Sequence, residues 1–278
     1  MSHLRFLETK LTEFNMDPTK SDRCNNLKWA KYFKINWESF SGEARHRKPT
    51  QFNVFTNGSK MNGQTGSGVA IYRGKTEIKG LSFRLPDYAT VFQAEVFAVQ
   101  KAAAVLLEAK ECPRFIKIFI DSQAAIGALG NPRIKSKIVN EAVNALEALA
   151  NKACSVTLVW IPAHKGHTGN ERADVLAKEG SETLGPATDG VGRPQADIKS
   201  ALNGGIYEVW RKEWREMSMA NYSKSFYDGP NESKAKFVIK LARLELRRFV
   251  RIISGHNNLN FFQNKIGLAR SGLCRFYG

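Results

Sequence analysis

Val54-Phe-Thr-Asn-Gly-Ser59 brings a short apolar run up against a polar residue at the point where the run stops. One reading is a strand, Gln51 to Thr56, that ends in an Asn-Gly reverse turn, since that pair accepts the positive φ of a tight hairpin. The other is that a metal-binding carboxylate belongs at position 57 and that the chain carries the amide in its place. The surrounding sequence decides between them.

Downstream, Gly66 to Tyr72 and Glu77 to Leu85 alternate as strands, with Gly-rich turns between them, which predicts an antiparallel meander. Thr90 to Ala109 has the Ala- and Leu-rich pattern of a long helix. Phe115 to Ile120 reads as a buried strand, and helices follow at Ser122 to Leu129 and Ser136 to Asn151. A strand at Val156 to Ile161 and a helix at Asn170 to Leu184 complete the series. Antiparallel strands followed by alternating helices and strands predict an α/β domain, a mixed sheet flanked by helices, over residues 51–184.

The flanks differ in composition. Residues 1–50 are polar and aromatic, with Trp29, Tyr32, Phe33, Trp37 and Phe40 irregularly spaced, and are expected to form a loosely structured arm or short helices. Residues 185–195 are rich in Gly and Pro and read as a linker. Residues 196–278 carry helical patterns at Ala196 to Met217 and Ser233 to Ile253, the second bearing Arg243, Arg247, Arg248 and Arg251. Of the net charge of +16, residues 190–278 hold 16 basic and 7 acidic side chains, net +9, whereas residues 51–189 are nearly balanced at +3. Such a tail favours a polyanionic partner, because neutralising phosphates releases condensed counterions. No run of 18 apolar residues spans a membrane, and the amino terminus has charges where a signal peptide would be apolar. A nuclear or cytoplasmic protein without a membrane partner is expected. Cys24, Cys112, Cys154 and Cys274 lie far apart and form neither a disulfide framework nor a complete zinc site.

Four positions recur at element ends on this map: Asn57, Glu95, Asp121 and Asp174. Taken singly, acidic residues there act as helix caps or dipole partners. Together they accompany the His-rich loop Trp160-Ile-Pro-Ala-His164-Lys-Gly-His167-Thr-Gly-Asn170-Glu-Arg-Ala-Asp174. That loop, Phe-Thr-Asn57-Gly-Ser, Phe-Gln-Ala-Glu95 and Ile-Asp121-Ser-Gln resemble, in order and spacing, the motifs of type 1 ribonuclease H domains, especially those attached to reverse transcriptases. The resemblance implies the ribonuclease H fold, with a five-stranded mixed sheet, and an endonuclease acting on RNA/DNA hybrids. It assigns metal ligands to positions 57, 95, 121 and 174 and a proton-shuttling or product-release role to His164. It places Ser59 and Gln123 against the RNA strand and Thr90 near a DNA phosphate. It also implies two Mg²⁺ or Mn²⁺ ions, since in-line hydrolysis needs an activated water and a stabilised leaving oxygen, and hard dications take oxygen ligands.

Two departures from the family pattern bear on activity. Phe92 occupies a position where the family often has Asn or Gln to read the minor groove. Asn57 is neutral and cannot bridge two dications as a carboxylate does, so an impaired nuclease is expected; a catalytically inactive hybrid-binding module is the alternative. An integrase-type nuclease shares the general fold, but the His-Lys-Gly-His loop and the opening meander oppose it. The tail, through Ile253-Ser-Gly-His256 to Cys274-Arg-Phe-Tyr277, resembles the segment carboxy-terminal to ribonuclease H in non-LTR retrotransposon polyproteins. There a C-x-x-C pair opens a zinc cluster, and here Tyr277 replaces its second cysteine. A retroelement origin leaves room for a reverse transcriptase acting in trans.

Overall fold

Gln51–Met61 (β3) and Gln64–Arg73 (β4) form a long antiparallel hairpin in which Asn57 pairs with Gly68. The turn falls at Asn62-Gly63, both at positive φ (51° and 81°), the conformation a two-residue hairpin demands. Asn57 therefore lies inside a strand rather than at its end. The reverse turn that Asn57-Gly58 suggests is made by the second Asn-Gly pair, five residues on. In this computed structural model the described residues are 21–37, 51–109, 113–153, 155–163, 165–188, 190–218, 221–229 and 231–274. They divide into two units, one holding those up to Ile198 and the other those from Lys199.

In the first unit, Thr76–Leu85 (β5) continues the meander. Phe115–Ile120 (β6) pairs parallel to β3, and Ser155–Trp160 (β8) parallel to β6. These five strands form the expected mixed sheet, and Lys34–Asn36 (β2) adds a sixth, parallel to β8, at its edge. The order across the sheet is β2-β8-β6-β3-β4-β5.

Both faces are covered. Val91–Glu108 (α1) lies on β3 and β4 and packs against Lys137–Lys152 (α3), with the short helix Gln123–Gly130 (α2) beside them. This face holds the main core, including Val54, Phe97, Ile118, Ile126 and Leu146. Thr168–Glu182 (α4) lies on the other face against β3, β4 and β5. It comes close because β4 offers glycine there: a Cβ on Gly68 would sit 2.2 Å from the Ala173 carbonyl oxygen.

Residues 21–37 depart from the loosely structured arm expected of them. Asn26–Leu27 (β1) pairs antiparallel with Arg133–Ile134 (β7), and β2 joins the main sheet. Buried Asp22 accepts hydrogen bonds from Ser136 Oγ (2.7 Å), the Ile138 amide (2.9 Å) and Gln93 Nε2 (3.2 Å). A carboxylate at the amino end of α3 meets unpaired amides and the positive end of the helix dipole, so the segment is fastened by chemistry that irregular aromatic spacing does not reveal.

The second unit is helical. Gln195–Glu216 (α5) leads into it and is followed by Asn221–Lys224 (α6), Glu232–Ile239 (α7), Arg243–Ser254 (α8) and Asn260–Lys265 (α9). The single helix expected from Ser233 to Ile253 is broken at Lys240–Ala242, with Glu245 accepting the Ala242 amide at 3.1 Å as the new helix begins. Phe237 meets Phe249 edge-on, and Trp214 Nε1 donates to the Tyr227 carbonyl at 3.0 Å. Arg243, Arg247, Arg248 and Arg251 are all exposed on α8.

Candidate active site

Register places the first two site residues side by side. Thr56 pairs with Ile120 in the parallel β3–β6 ladder, so Asn57 and Asp121 continue that pairing on neighbouring strands. Glu95 comes from α1, whose amino end is fixed by a capping box in which Thr90 Oγ accepts the Gln93 amide and Gln93 Oε1 accepts the Thr90 amide. Gly58 lets this helix approach β3, since a Cβ there would lie 2.6 Å from the Glu95 nitrogen. Asp174 sits in the second turn of α4, one residue past Ala173, whose carbonyl crowds Gly68 across from Asn57.

The electrostatics tie the three acids together. Glu95 is buried, and its carboxyl is pushed up to about 8, first by desolvation, then by the charge of Asp121 and more weakly by that of Asp174. A backbone hydrogen bond from Gly58 offsets this only in part, and Oε2 has no partner. Asp121 is steadied by Asn170, whose Nδ2 donates to its Oδ2 at 3.1 Å, and by the Trp160 indole N–H, which donates to its backbone carbonyl at 3.2 Å. Asp174 Oδ2 is paired with Lys178 one turn on, at 2.6 Å.

The remaining residues singled out from sequence fall in different places. Ser59 is buried on β3, and Thr90 is accounted for as the helix cap. Gln123 is exposed at the start of α2, directly after Asp121-Ser122. Phe92 packs against the main core. His164, Cys112, Cys154 and Tyr277 lie outside the described residues. Asn170, which sequence reasoning passed over, is buried and carries a second unpaired atom, Oδ1. Its signal was available: an amide four residues before Asp174 stands one helical turn away on the same face.

The donor set suits a hard dication in kind: carboxylate oxygens from three elements, an amide oxygen at position 57, and a buried carboxylate oxygen without a partner. In spacing it does not yet close. Among the described residues no three His, Cys, Asp or Glu side chains stand near enough to share one ion. What these features define is an α/β domain that gathers mutually repelling acids at one end of a mixed sheet. Residues 49–182 match the RNase H family model, which supports an RNase H domain over that span.

Proposed function

We propose that the domain hydrolyses the RNA strand of RNA/DNA hybrids with Mg²⁺ or Mn²⁺, and that Asn57 leaves the activity impaired. The observation that carries this is buried Glu95, held near Asp121 and Asp174 with one oxygen unpartnered. Glu95, Asp121, Asp174 and the amide oxygen of Asn57 would hold the metal. When bound, a pair of such ions supplies water activation and leaving-oxygen stabilisation. Asn170 aligns Asp121, Lys178 restrains Asp174, and the Gly58 amide orients Glu95. His164, Ser59, Thr90 and Gln123 keep the roles the resemblance gives them. A neutral ligand at 57 weakens attraction for two dications, since several anionic groups are needed around them.

The second reading, a hybrid-binding module without activity, is favoured by that same amide and by the open spacing of the acids. Both readings give the tail's exposed arginines a sequence-independent role in binding nucleic acid. Descent from a non-LTR retrotransposon polyprotein, and a reverse transcriptase acting in trans, belong to this proposal on the strength of the tail's sequence pattern. The test is incubation of the full chain with hybrid labelled on its RNA strand. We expect hybrid binding and slow Mg²⁺-dependent cleavage that Asp121→Asn abolishes. Binding without any cleavage supports the module, and failure to bind hybrid at low salt overturns both.

A further inference from the structure

The segment 28–37 is tethered at some positions and bare at the positions between. Lys28 Nζ reaches Asn144 Oδ1 at 2.7 Å and pairs with Glu147. Lys31 Nζ donates to the carbonyls of Leu129 and Asn131, and Phe33 is buried in the core. Between and beyond these anchors, Trp29 is 79% exposed, Tyr32 70% and Trp37 50%. Three large aromatic rings turned to solvent on one short, fastened segment are more than the single exposed side chains that any surface carries.

Charge selects the partner. The only acid in residues 21–37 is Asp22, which is buried, whereas Arg23 and Lys34 are exposed, as are Arg133 and Lys135 on and beside the strand that β1 pairs with. Cations interleaved with free aromatic rings suit single-stranded nucleic acid, where backbone phosphates meet the cations and unpaired bases stack on the rings. A duplex offers no such bases along its length, because they are already stacked on each other.

Position connects the surface to the acids. Asn36 pairs with Val159, so continuing the β2–β8 register brings Trp37 level with Trp160, whose indole holds the Asp121 carbonyl. The Trp37 ring also approaches Gly127 of α2, the helix that starts directly after Asp121-Ser122. The Trp37 end of the aromatic segment thus borders the end of the sheet that carries Asp121.

We propose that Trp29, Tyr32 and Trp37 form a stacking platform for a single strand that continues from the end of a hybrid seated at the acids. The proposal extends the hybrid reading, yet single-strand binding can be measured apart from it. The probes are a blunt labelled hybrid, the same hybrid with a single-stranded overhang of about eight nucleotides, and the free single strand, titrated by anisotropy. The full chain should bind the overhang form about tenfold or more tighter than the blunt form, as one or more stacked bases provides. Trp29→Ala/Tyr32→Ala/Trp37→Ala should lose that gain and weaken single-strand binding, while blunt-hybrid affinity stays unchanged. A second variant, Trp29→Phe/Trp37→Phe, keeps the rings and should keep most of the gain, but lose the tryptophan quenching that the single strand causes in the unaltered chain. No gain from the overhang, a gain that survives the alanine variant, or quenching unchanged by the phenylalanine variant would overturn the platform. Loss of blunt-hybrid binding in the alanine variant would overturn it too, by showing that the patch grips duplex. A chain that binds single strand through these rings but no hybrid would remove the hybrid reading and leave the platform standing.

Discussion

Glu95 shows what the site costs the fold. Its carboxyl titrates near 8 in the native chain and near 4.5 when unfolded, so between those values the folded state holds a proton that the unfolded state has released. Stability present below about pH 4.5 is therefore lost as the pH rises towards 8. Urea unfolding of the metal-free protein should show this decline. Glu95→Gln, which cannot ionise, should flatten the profile and be the more stable form at pH 8; an unchanged slope would show that Glu95 is ionised without strain. Asn170 permits a second test. Removing its hydrogen bond in Asn170→Ala should cost roughly 1–2 kcal/mol. Asn170→Asp should cost more, because it sets a like charge beside Asp121; the reverse order would contradict the positioning role. The acids stood out in sequence because each lies directly after an apolar run or within the first two turns of a helix. The contact of Asn170 with Asp121 was not legible there, because it joins positions 49 apart in sequence, although the place of Asn170 one turn before Asp174 was.

At the level of elements, the meander, α1, β6 and the α/β alternation were readable from periodicity alone. The hairpin was harder, since Asn57-Gly58 and Asn62-Gly63 carry the same turn chemistry and only one pair adopts it. What separates them is tertiary: Gly58 is needed for the approach of α1, which no local pattern reports. Gly58→Ala should accordingly destabilise the domain by about 1–3 kcal/mol, as overpacking does. It should also weaken hybrid cleavage or metal-dependent stabilisation by displacing Glu95, whereas Gly63→Ala should act only on the hairpin. Equal effects of the two on the site would contradict this. The strands at 26–27 and 34–36 escaped notice because two or three residues are too few to show a period, and the attachment through Asp22 joins residues more than a hundred positions from Ser136 and Ile138.

Across the whole molecule, charge is divided unequally: a nearly neutral RNase H domain and a tail at net +9. The tail should hold nucleic acid regardless of sequence, and the domain should prefer the hybrid form. Replacing Arg243, Arg247, Arg248 and Arg251 with glutamine should lower the slope of log affinity against log salt by up to about 3–4, one counterion for each lost phosphate contact. The preference for hybrid over DNA duplex should persist. An unchanged slope would make these arginines a solvated face. The net charge pointed to a polyanion from the outset, but the helix break at Lys240–Ala242 that sets α8 apart lay inside an otherwise continuous helical pattern.

The proposed impairment rests on Asn57, the one neutral member of a set that Glu95, Asp121 and Asp174 would complete at one end of the sheet. The most direct test is Mg²⁺-dependent cleavage of the labelled RNA strand by Asn57→Asp against the unaltered chain, with Asp121→Asn added to the reverted protein as control. The fourth carboxylate should raise cleavage by orders of magnitude, since it would add an anionic oxygen ligand for the hard cations the site would hold. The control should abolish that gain, and hybrid affinity should change little. An Asn57→Asp protein that folds, binds hybrid and cuts no faster would contradict the account and leave the binding module as the function of the domain.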